Sequence, residues 1–413
     1  MLPATTPPGP TGRPETEPRN PAHQNATAGP RIVSIRHWLV HIPFTAPIVW
    51  GSGTRSGPTR LVVEVTTDGG IRGYGETICL LDSIEPVLVN VVMPLAIGKG
   101  VDQAEHLTRH VQGAGYYHHK RAAVMALCAV EMAMWDALGK HAGQPLHRLW
   151  GGAYRSEIDF AAYLFVNDAG RVAEVARAFA DRGYRSFKLK IGVDEASDIA
   201  LPRAVRKAIG DRLPLRVDVN GAWTPGTARR QCAKLAEFDL SYVEQPLELD
   251  DLAGHAELRR CQAIPIALDE SAYTLADVGN IVRMAAADVI LLDPHEAGGL
   301  WQCVKAAAVA ESVGIPVTLH SGGELGLSQA AYLHLAASIP NMSLSIDTEH
   351  DYLGDDVIAP GFAIEDGRLA VPTGAGLGVE VDTAQLDRYR VERIAGAYLD
   401  PRRPGWFPVK PSY

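Results

Sequence analysis

Residues 186–192 read SFKLKIG and residues 214–220 read PLRVDVN. Each is a short apolar run rich in strand-forming residues, and a stretch of helical pattern lies between them. Six more runs continue this alternation: DFAAYLF (159–165), SYVEQP (241–246), IPIALD (264–269), DVILLD (288–293), IPVTLH (315–320) and SLSID (343–347). Eight short strands that alternate with helices predict an α/β fold, a modified TIM barrel of the (β/α)7β type, over residues 154–354.

The residues before the barrel repeat follow another pattern. IVSIRHWLVHI (32–42) and TRLVVEVTTDGGIRGYGETICL (59–80) read as strands, and the second is a hairpin. From about residue 86 to residue 149, apolar side chains recur at the helical period. Strands followed by helices predict a separate α+β domain over residues 31–153.

The two ends of the chain carry no part of the barrel repeat. Residues 1–30 are rich in Pro, Thr and Gly and nearly free of large apolar side chains, so they cannot offset the entropy of folding. They are predicted to form a disordered tail. Residues 355–413 also lack the repeat, and we expect them to pack back against the α+β domain.

Composition narrows the classes of function. The 413 residues carry 48 acidic and 39 basic side chains without a basic stripe, which argues against a nucleic-acid partner. Apolar runs are too short for a membrane span, which needs about 18 residues, so we expect no membrane partner. The five cysteines have no paired spacing, which argues against a disulfide framework or a zinc site and favours the reducing cytoplasm.

A polar residue ends each of the eight predicted strands, and consecutive members of this set are 24 to 28 residues apart. The set is Tyr163, Lys190, Asp218, Glu244, Asp269, Asp293, His320 and Asp347. The carboxyl ends of barrel strands meet at one mouth, where the active sites of TIM barrels lie. The sequence therefore predicts that these side chains face a single cavity.

Several carboxylates in one cavity repel one another unless a cation compensates their charge. Asp218, Glu244 and Asp269 lie on three neighbouring predicted strands and offer only oxygen ligands. Such a set favours a hard cation that keeps positions for water and substrate, as Mg²⁺ does. Any one of these acids alone is more often a helix cap. Their regular spacing makes a magnesium site the stronger interpretation.

Two further pairs suggest proton transfer. Lys188 and Lys190 alternate with apolar residues, so both ammonium groups lie on the inner face of their strand rather than at a solvated edge. Two neighbouring cations lower each other's proton affinity, which would let one act as a general base while the other binds an oxyanion. Across the barrel, Asp293 can accept a hydrogen bond from His320, which predicts a dyad that donates or takes a proton.

Together these residues resemble the enolase superfamily, in the branch of mandelate racemase and glucarate dehydratase, over residues 31–400. The resemblance lies in SFKLKIG, VDVNGAW, VEQP, LLDPH and VTLHSGG, which stand in the family's order. It implies that Lys190 removes the proton alpha to a carboxylate and that His320 with Asp293 faces it. It also implies a capping domain over the barrel mouth and a homo-oligomer. The Mg²⁺ ligands that it implies are Asp218, Glu244 and Asp269.

Glucarate dehydratases are the most similar members, on the motifs AYLF, LDPH, IDTEH and GLGVEVD. This resemblance implies an acid-sugar substrate that loses its alpha proton and its beta hydroxyl to give a 2-keto-3-deoxy acid. The chain departs from that group in two places: IALDES has Asp269 instead of Asn, and the loop PIVWGSGTRSG (47–57) replaces a loop with His. Arg55 is a candidate partner for a distal carboxylate. The expected substrate contacts are Tyr163, Asn220, Asp347, Arg55 and Trp50.

The sequence leaves two other functions open beside the dehydratase. One is a racemase or epimerase, because Lys190 and His320 could serve as two bases on opposite faces of one carbon. The other is a non-catalytic homologue that binds an acid, although no member of the polar set is missing. Muconate-type enzymes and dipeptide epimerases place Lys where this chain has Asp293, which disfavours those activities. An amidohydrolase is disfavoured because no strand ends in His-x-His.

Overall fold

The computed structural model of the chain describes residues 29–50, 53–165, 168–394 and 413, without the side chains of residues 49, 50, 53 and 54. The predicted tail lies outside the described residues up to position 28. Five strands come first: β1 (Ile32–His41), β2 (Ile48–Trp50), β3 (Gly53–Arg55), β4 (Thr59–Thr67) and β5 (Arg72–Ile78). An antiparallel sheet forms in the order β1-β4-β5, and β2 pairs with β3 as a separate hairpin.

Helices follow this sheet, in the order that the sequence predicted. They are α1 (Ile84–Val87), a π-helical turn (Leu88–Val92), α2 (Met93–Ala96), α3 (Ala104–Gly113), a 3-10 turn (Tyr116–His118) and α4 (Lys120–Ala142). α4 packs closely on β5 because β5 carries Gly73 and Gly75. A Cβ atom at Gly75 would lie 2.1 Å from the carbonyl oxygen of Ala129 on α4. These glycines therefore set the distance between helix and sheet.

α4 is the one described helix with the length and apolar character to cross a membrane. Of the most apolar 18-residue segment of α4, 78% is buried inside the protein, as in the core helix of a globular domain. Its Glu131 carboxylate accepts hydrogen bonds from the backbone N–H groups of Leu300 and Trp301, in the barrel. α4 thus joins the capping domain to the barrel.

The second part of the chain alternates strands and helices. Its elements are α5 (Leu146–Leu149), β6 (Glu157–Asp159), β7 (Ala162–Leu164), α6 (Ala169–Asp181), β8 (Phe187–Lys190), α7 (Ser197–Ile209), β9 (Leu215–Asp218), α8 (Pro225–Leu235), β10 (Val243–Glu244), α9 (Leu252–Cys261), β11 (Ile266–Leu268), α10 (Leu275–Met284), β12 (Val289–Leu292), α11 (Pro294–Ala297), α12 (Leu300–Glu311), β13 (Val317–Leu319) and α13 (Gly326–Ser338). β7 to β13 form one parallel, curled sheet in sequence order. The predicted (β/α)7β fold with an α+β capping domain is confirmed.

The run SLSID (343–347), predicted to be the eighth strand, is not a regular strand. Ile346 makes a single parallel bridge to Phe160, and its N–H donates to the carbonyl of Asp159 at 3.0 Å. On its other side, the N–H of Asp347 donates to the carbonyl of Leu319 at 3.1 Å. The run therefore closes the sheet between β13 and β7 with too few hydrogen bonds to form a ladder.

The C-terminal part of the described chain contacts both halves of the molecule. β14 (Arg368–Ala370) pairs antiparallel with β6, and α14 (Thr383–Arg388) lies near β1. The N–H of His41 donates to the carbonyl of Tyr389, and the N–H of Val391 donates to the carbonyl of Leu39, both at 2.9 Å. The domain boundaries drawn from the sequence stay a prediction, and residues 395–412 lie outside the described residues.

Candidate active site

Strand register brings three predicted site residues to one level of the sheet. Lys190 on β8 pairs with Asp218 on β9, and Asp218 pairs with Glu244 on β10. The Lys190 Nζ atom lies 2.5 Å from Asp218 Oδ2. Lys188 Nζ lies 2.6 Å from Glu244 Oε1 and 2.6 Å from Asp347 Oδ2. The two lysines therefore contact two of the three carboxylates that the sequence assigned to the metal site.

The carboxylates decide the proton affinity of both lysines. Burial alone would lower the pKa of Lys190, but Asp218, together with Tyr163 and Glu244, outweighs burial and raises the pKa above its usual value. The pKa of Lys188 is also raised, because Asp347 and Glu244 outweigh its burial. The sequence predicted that the two ammonium groups would lower each other's proton affinity. Lys188 does act in that direction on Lys190, but its effect is smaller than that of Asp218.

The three predicted metal ligands carry charge that the protein compensates only in part. Asp218 keeps a pKa well below its usual value because Lys190 and Lys188 outweigh its burial. Burial, joined by the neighbouring acids, raises the pKa of Glu244 and Asp269 well above the usual range. Glu244 Oε2 and both oxygens of Asp269 are buried and have no hydrogen-bond partner within the described chain.

These buried oxygens fit a hard divalent cation, which takes carboxylate oxygens as ligands. In the described part of the chain, no three Asp, Glu, His or Cys side chains already converge as a ligand cluster. The lysine contacts explain this, because Asp218 and Glu244 each direct one oxygen to an ammonium group. The donor set suits Mg²⁺.

The predicted dyad of His320 and Asp293 is present at the ends of β13 and β12. His320 Nδ1 lies 3.3 Å from Asp293 Oδ2, and Nε2 lies 3.5 Å from Asp269 Oδ2. Burial opposes the charge on His320, but Asp269 and Asp293 outweigh it and raise its pKa well above the usual value. His295, with His320, outweighs burial at Asp293 and lowers its pKa to about 2. His320 is therefore held as a proton donor.

A buried network behind the dyad was not found from the sequence. Tyr332 donates its hydroxyl to Asp293 Oδ1 at 3.2 Å, and the backbone N–H of His295 donates to the same oxygen at 2.7 Å. Arg60, fully buried on β4, contacts Glu76 on β5 at 2.6 Å. Glu76 accepts hydrogen bonds from the backbone N–H groups of Leu325 and Ser328, at the start of α13. The sequence feature that could have indicated this network is the presence of two charged residues, Arg60 and Glu76, within otherwise apolar strands.

A cavity of about 360 Å³ opens between the barrel and the capping domain. Lys190 and His320 both line it, as do Asp269, Tyr163 and Asn220. The capping domain contributes an apolar wall: Ile78, Leu80, Leu81, Ile84 and Met125. Lys190, His320 and Asp269, predicted from their strand-end positions as base, acid and metal ligand, thus line the same cavity.

The predicted substrate contacts have different outcomes. Tyr163 lies beside both lysines, with its ring centroid 5.4 Å from Lys190 Nζ. Asn220 accepts from Lys190 Nζ at 2.8 Å, so it orients the amine. Asp347 lies below the cavity, where Lys188 and Arg216 bind its oxygens, which corrects its expected role in substrate contact. The backbone of Trp50 belongs to β2, and its side chain lies outside the described residues.

Arg55 also differs from its expected role. It lines the cavity, but its guanidinium forms two hydrogen bonds with the Glu349 carboxylate, at 2.5 and 2.7 Å. Both side chains are buried. Arg55 therefore ties the β2–β3 hairpin of the capping domain to the barrel.

We expect Arg55→Met to destabilise the protein by about 3 kcal/mol, because it leaves the Glu349 carboxylate buried without this partner. Unfolding in urea measures the change. The double variant Arg55→Met/Glu349→Gln should regain at least ~1 kcal/mol. Arg203→Met is the control, because Arg203 pairs with Glu237 on the surface and should cost less than ~1 kcal/mol. A double variant no more stable than Arg55→Met would contradict this account.

Comparison with known proteins identifies the family. Residues 34–151 match the Mandelate racemase / muconate lactonizing enzyme N-terminal domain, and residues 171–385 match the Enolase C-terminal domain-like family. The chain is 32% identical to a probable glucarate dehydratase of Streptomyces coelicolor, over 79% of this chain and 83% of that protein. It is 29% identical to muconate cycloisomerase 1 of Rhodococcus opacus, over 85% and 96%.

A solved structure with a similar fold is that of an enzyme with a third activity. The crystal structure of N-succinyl Arg/Lys racemase from Bacillus cereus has a TM-score of 0.82 and 26% identity, and the match covers 87% of this chain and 98% of that one. The relatives of this chain thus include a probable dehydratase, a cycloisomerase and a racemase. The chain belongs to the enolase superfamily, in the branch of mandelate racemase and muconate lactonizing enzymes.

Proposed function

We propose that this chain is a Mg²⁺-dependent dehydratase of an acid sugar, glucarate or a related aldarate or aldonate. It would remove the proton alpha to a carboxylate and eliminate the hydroxyl on the next carbon, which gives a 2-keto-3-deoxy acid. One observation carries the proposal: Lys190 and His320 line a single cavity, with the buried oxygens of Asp269 beside them. The relative named as a probable glucarate dehydratase supports it.

Asp218, Glu244 and Asp269 would hold the cation. When bound, Mg²⁺ would supply positive charge that offsets these carboxylates and stabilises the negative charge developing on the substrate carboxylate. The charge of Mg²⁺ at Asp218 would oppose the rise that this carboxylate causes in the Lys190 pKa, so Lys190 would take the alpha proton on Nζ as a neutral amine. Asn220 Oδ1, 2.8 Å from this Nζ, fixes its position.

His320 supplies the acid for the second half of the reaction. The carbon–oxygen bond at the beta position breaks, and the leaving hydroxyl takes the His320 proton and departs as water. The enol that remains tautomerises to the 2-keto acid. Asp293 supports the imidazolium because its carboxylate lies 3.3 Å from Nδ1 and is fixed from behind by Tyr332 and the His295 backbone.

A screen of acid sugars with Mg²⁺, read out for 2-keto acid, tests the proposal. We expect His320→Asn to lower keto-acid formation roughly 10³-fold, because a positioned general acid contributes about that much. Exchange of the alpha hydrogen with solvent deuterium should persist in this variant, because Lys190 performs it. Absence of keto acid from every aldarate and aldonate diastereomer would contradict the dehydratase.

The second candidate is a racemase or epimerase of a carboxylate substrate. The apolar wall of the capping domain favours it, because such a wall suits an apolar substituent better than a chain of hydroxyls. Lys190 and His320 would then act as two bases on one carbon. Change of configuration without loss of water, followed by NMR in deuterium oxide, would decide for this candidate.

A further inference from the structure

The basic side chains that line the cavity differ in their partners. They are Arg55, Arg121, Lys190 and His320. Three of them already face carboxylates of this chain: Arg55 with Glu349, Lys190 with Asp218, and His320 with Asp293. Within the described residues, no Asp or Glu oxygen lies at ion-pair distance from the Arg121 guanidinium. Arg121 is thus a cavity cation whose charge the described protein leaves available.

An aromatic ring holds this guanidinium in place. Its central carbon lies 4.0 Å from the centroid of the Tyr273 ring, in the loop between β11 and α10. The Tyr273 side chain is itself buried and interacts with Glu296. Stacking uses the face of a guanidinium and leaves N–H donors in its plane for a ligand. Arg121 is therefore positioned before any ligand binds.

We propose that Arg121 binds a second carboxylate of the substrate, at the end remote from the carbon that loses its proton. This inference rests on the proposed function, which assigns the first carboxylate to the barrel. The planar fork of an arginine matches a carboxylate with two parallel hydrogen bonds. Because α4 of the capping domain supplies Arg121 and the barrel supplies Lys190, a molecule bound to both spans the cavity. The substrate is a dicarboxylate.

The assignment replaces the one made from the sequence. Arg55 was the expected partner of a distal carboxylate, but Glu349 binds it at 2.5 and 2.7 Å. A ligand carboxylate at Arg55 would compete with a buried one for the guanidinium. At Arg121 no Asp or Glu of the described chain competes.

Binding of matched acids tests the inference. The probes are two pairs that differ only at C6: D-glucarate with D-gluconate, and galactarate with D-galactonate. Calorimetry in the presence of Mg²⁺ gives a dissociation constant for each, and the same samples in deuterium oxide report alpha-hydrogen exchange. We expect the wild type to bind at least one diacid about 10-fold or more tightly than its monoacid. Arg121→Gln should abolish this preference, and Arg121→Lys should retain part of it.

The control is Arg109→Gln, because Arg109 pairs with Glu105 on the exposed surface of α3. It should leave the preference unchanged. A wild type that binds no diacid more tightly than its monoacid overturns the inference, as does a preference that survives in Arg121→Gln. A preference that depends on Arg121 without alpha-hydrogen exchange supports the inference and counts against the proposed function alone.

Discussion

A Lys190→Met variant should lose exchange of the substrate's alpha hydrogen by roughly 10⁴-fold, the upper end of what a positioned general base contributes. Lys190 is the amine that lines the cavity, whereas Lys188 lies fully buried behind it. Met retains the length of the side chain and removes the basic nitrogen. The measurement is deuterium incorporation from solvent, followed by NMR with the acid that the wild type exchanges fastest.

The control for this experiment is Lys207→Met, on the exposed side of α7. It should exchange at the wild-type rate. Circular dichroism checks that Lys190→Met is folded, because the variant removes the ammonium group that contacts Asp218 at 2.5 Å. Exchange that persists in Lys190→Met would assign the base to another group. A wild type that exchanges no acid would favour the non-catalytic homologue that the sequence left open.

The strand-end residues were predictable because a parallel barrel translates chain spacing into position. Each strand-helix unit returns the chain to the same end of the sheet, so residues one unit apart become neighbours. The register of Lys190, Asp218 and Glu244 follows this rule. The dyad of His320 and Asp293 does so as well, across β13 and β12.

Contacts between the capping domain and the barrel were not predictable in the same way. Arg55 and Glu349 are 294 residues apart and belong to no common repeat. Nothing in the local pattern of either segment tells a free arginine from one that binds a buried acid. The role of Arg55 therefore differs from the expectation, because the packing of the capping domain on the barrel brings Glu349 to it.

Asp347 shows the limit within the barrel itself. It occupies the eighth strand-end position, but the run that carries it closes the sheet by isolated hydrogen bonds. Its carboxylate lies between Lys188 and Arg216 instead of facing the cavity. The spacing of strand-end residues therefore predicts which side chains face the cavity only where a full set of strand hydrogen bonds fixes the register.

An Asp269→Leu variant should lose nearly all alpha-hydrogen exchange, and so should the wild type after treatment with EDTA. Both oxygens of Asp269 are buried without a hydrogen-bond partner in the described chain, which is costly unless a cation compensates them. Leu is close to Asp in size and offers no oxygen ligand, whereas Asn could still bind a cation through its amide oxygen. We therefore expect two effects on stability. Without metal, the variant is at least as stable as the wild type, but added Mg²⁺ no longer stabilises it.

Thermal unfolding with and without Mg²⁺ separates these two effects. A cation that binds only the folded state at 100 times its dissociation constant stabilises it by about 2.7 kcal/mol. The wild type should show a stabilisation of this order, and the control Asp181→Asn, at the exposed end of α6, should match it. Asp269→Leu should show almost none. If Mg²⁺ stabilises Asp269→Leu as much as the wild type, Asp269 is not a ligand and its buried carboxylate needs another explanation.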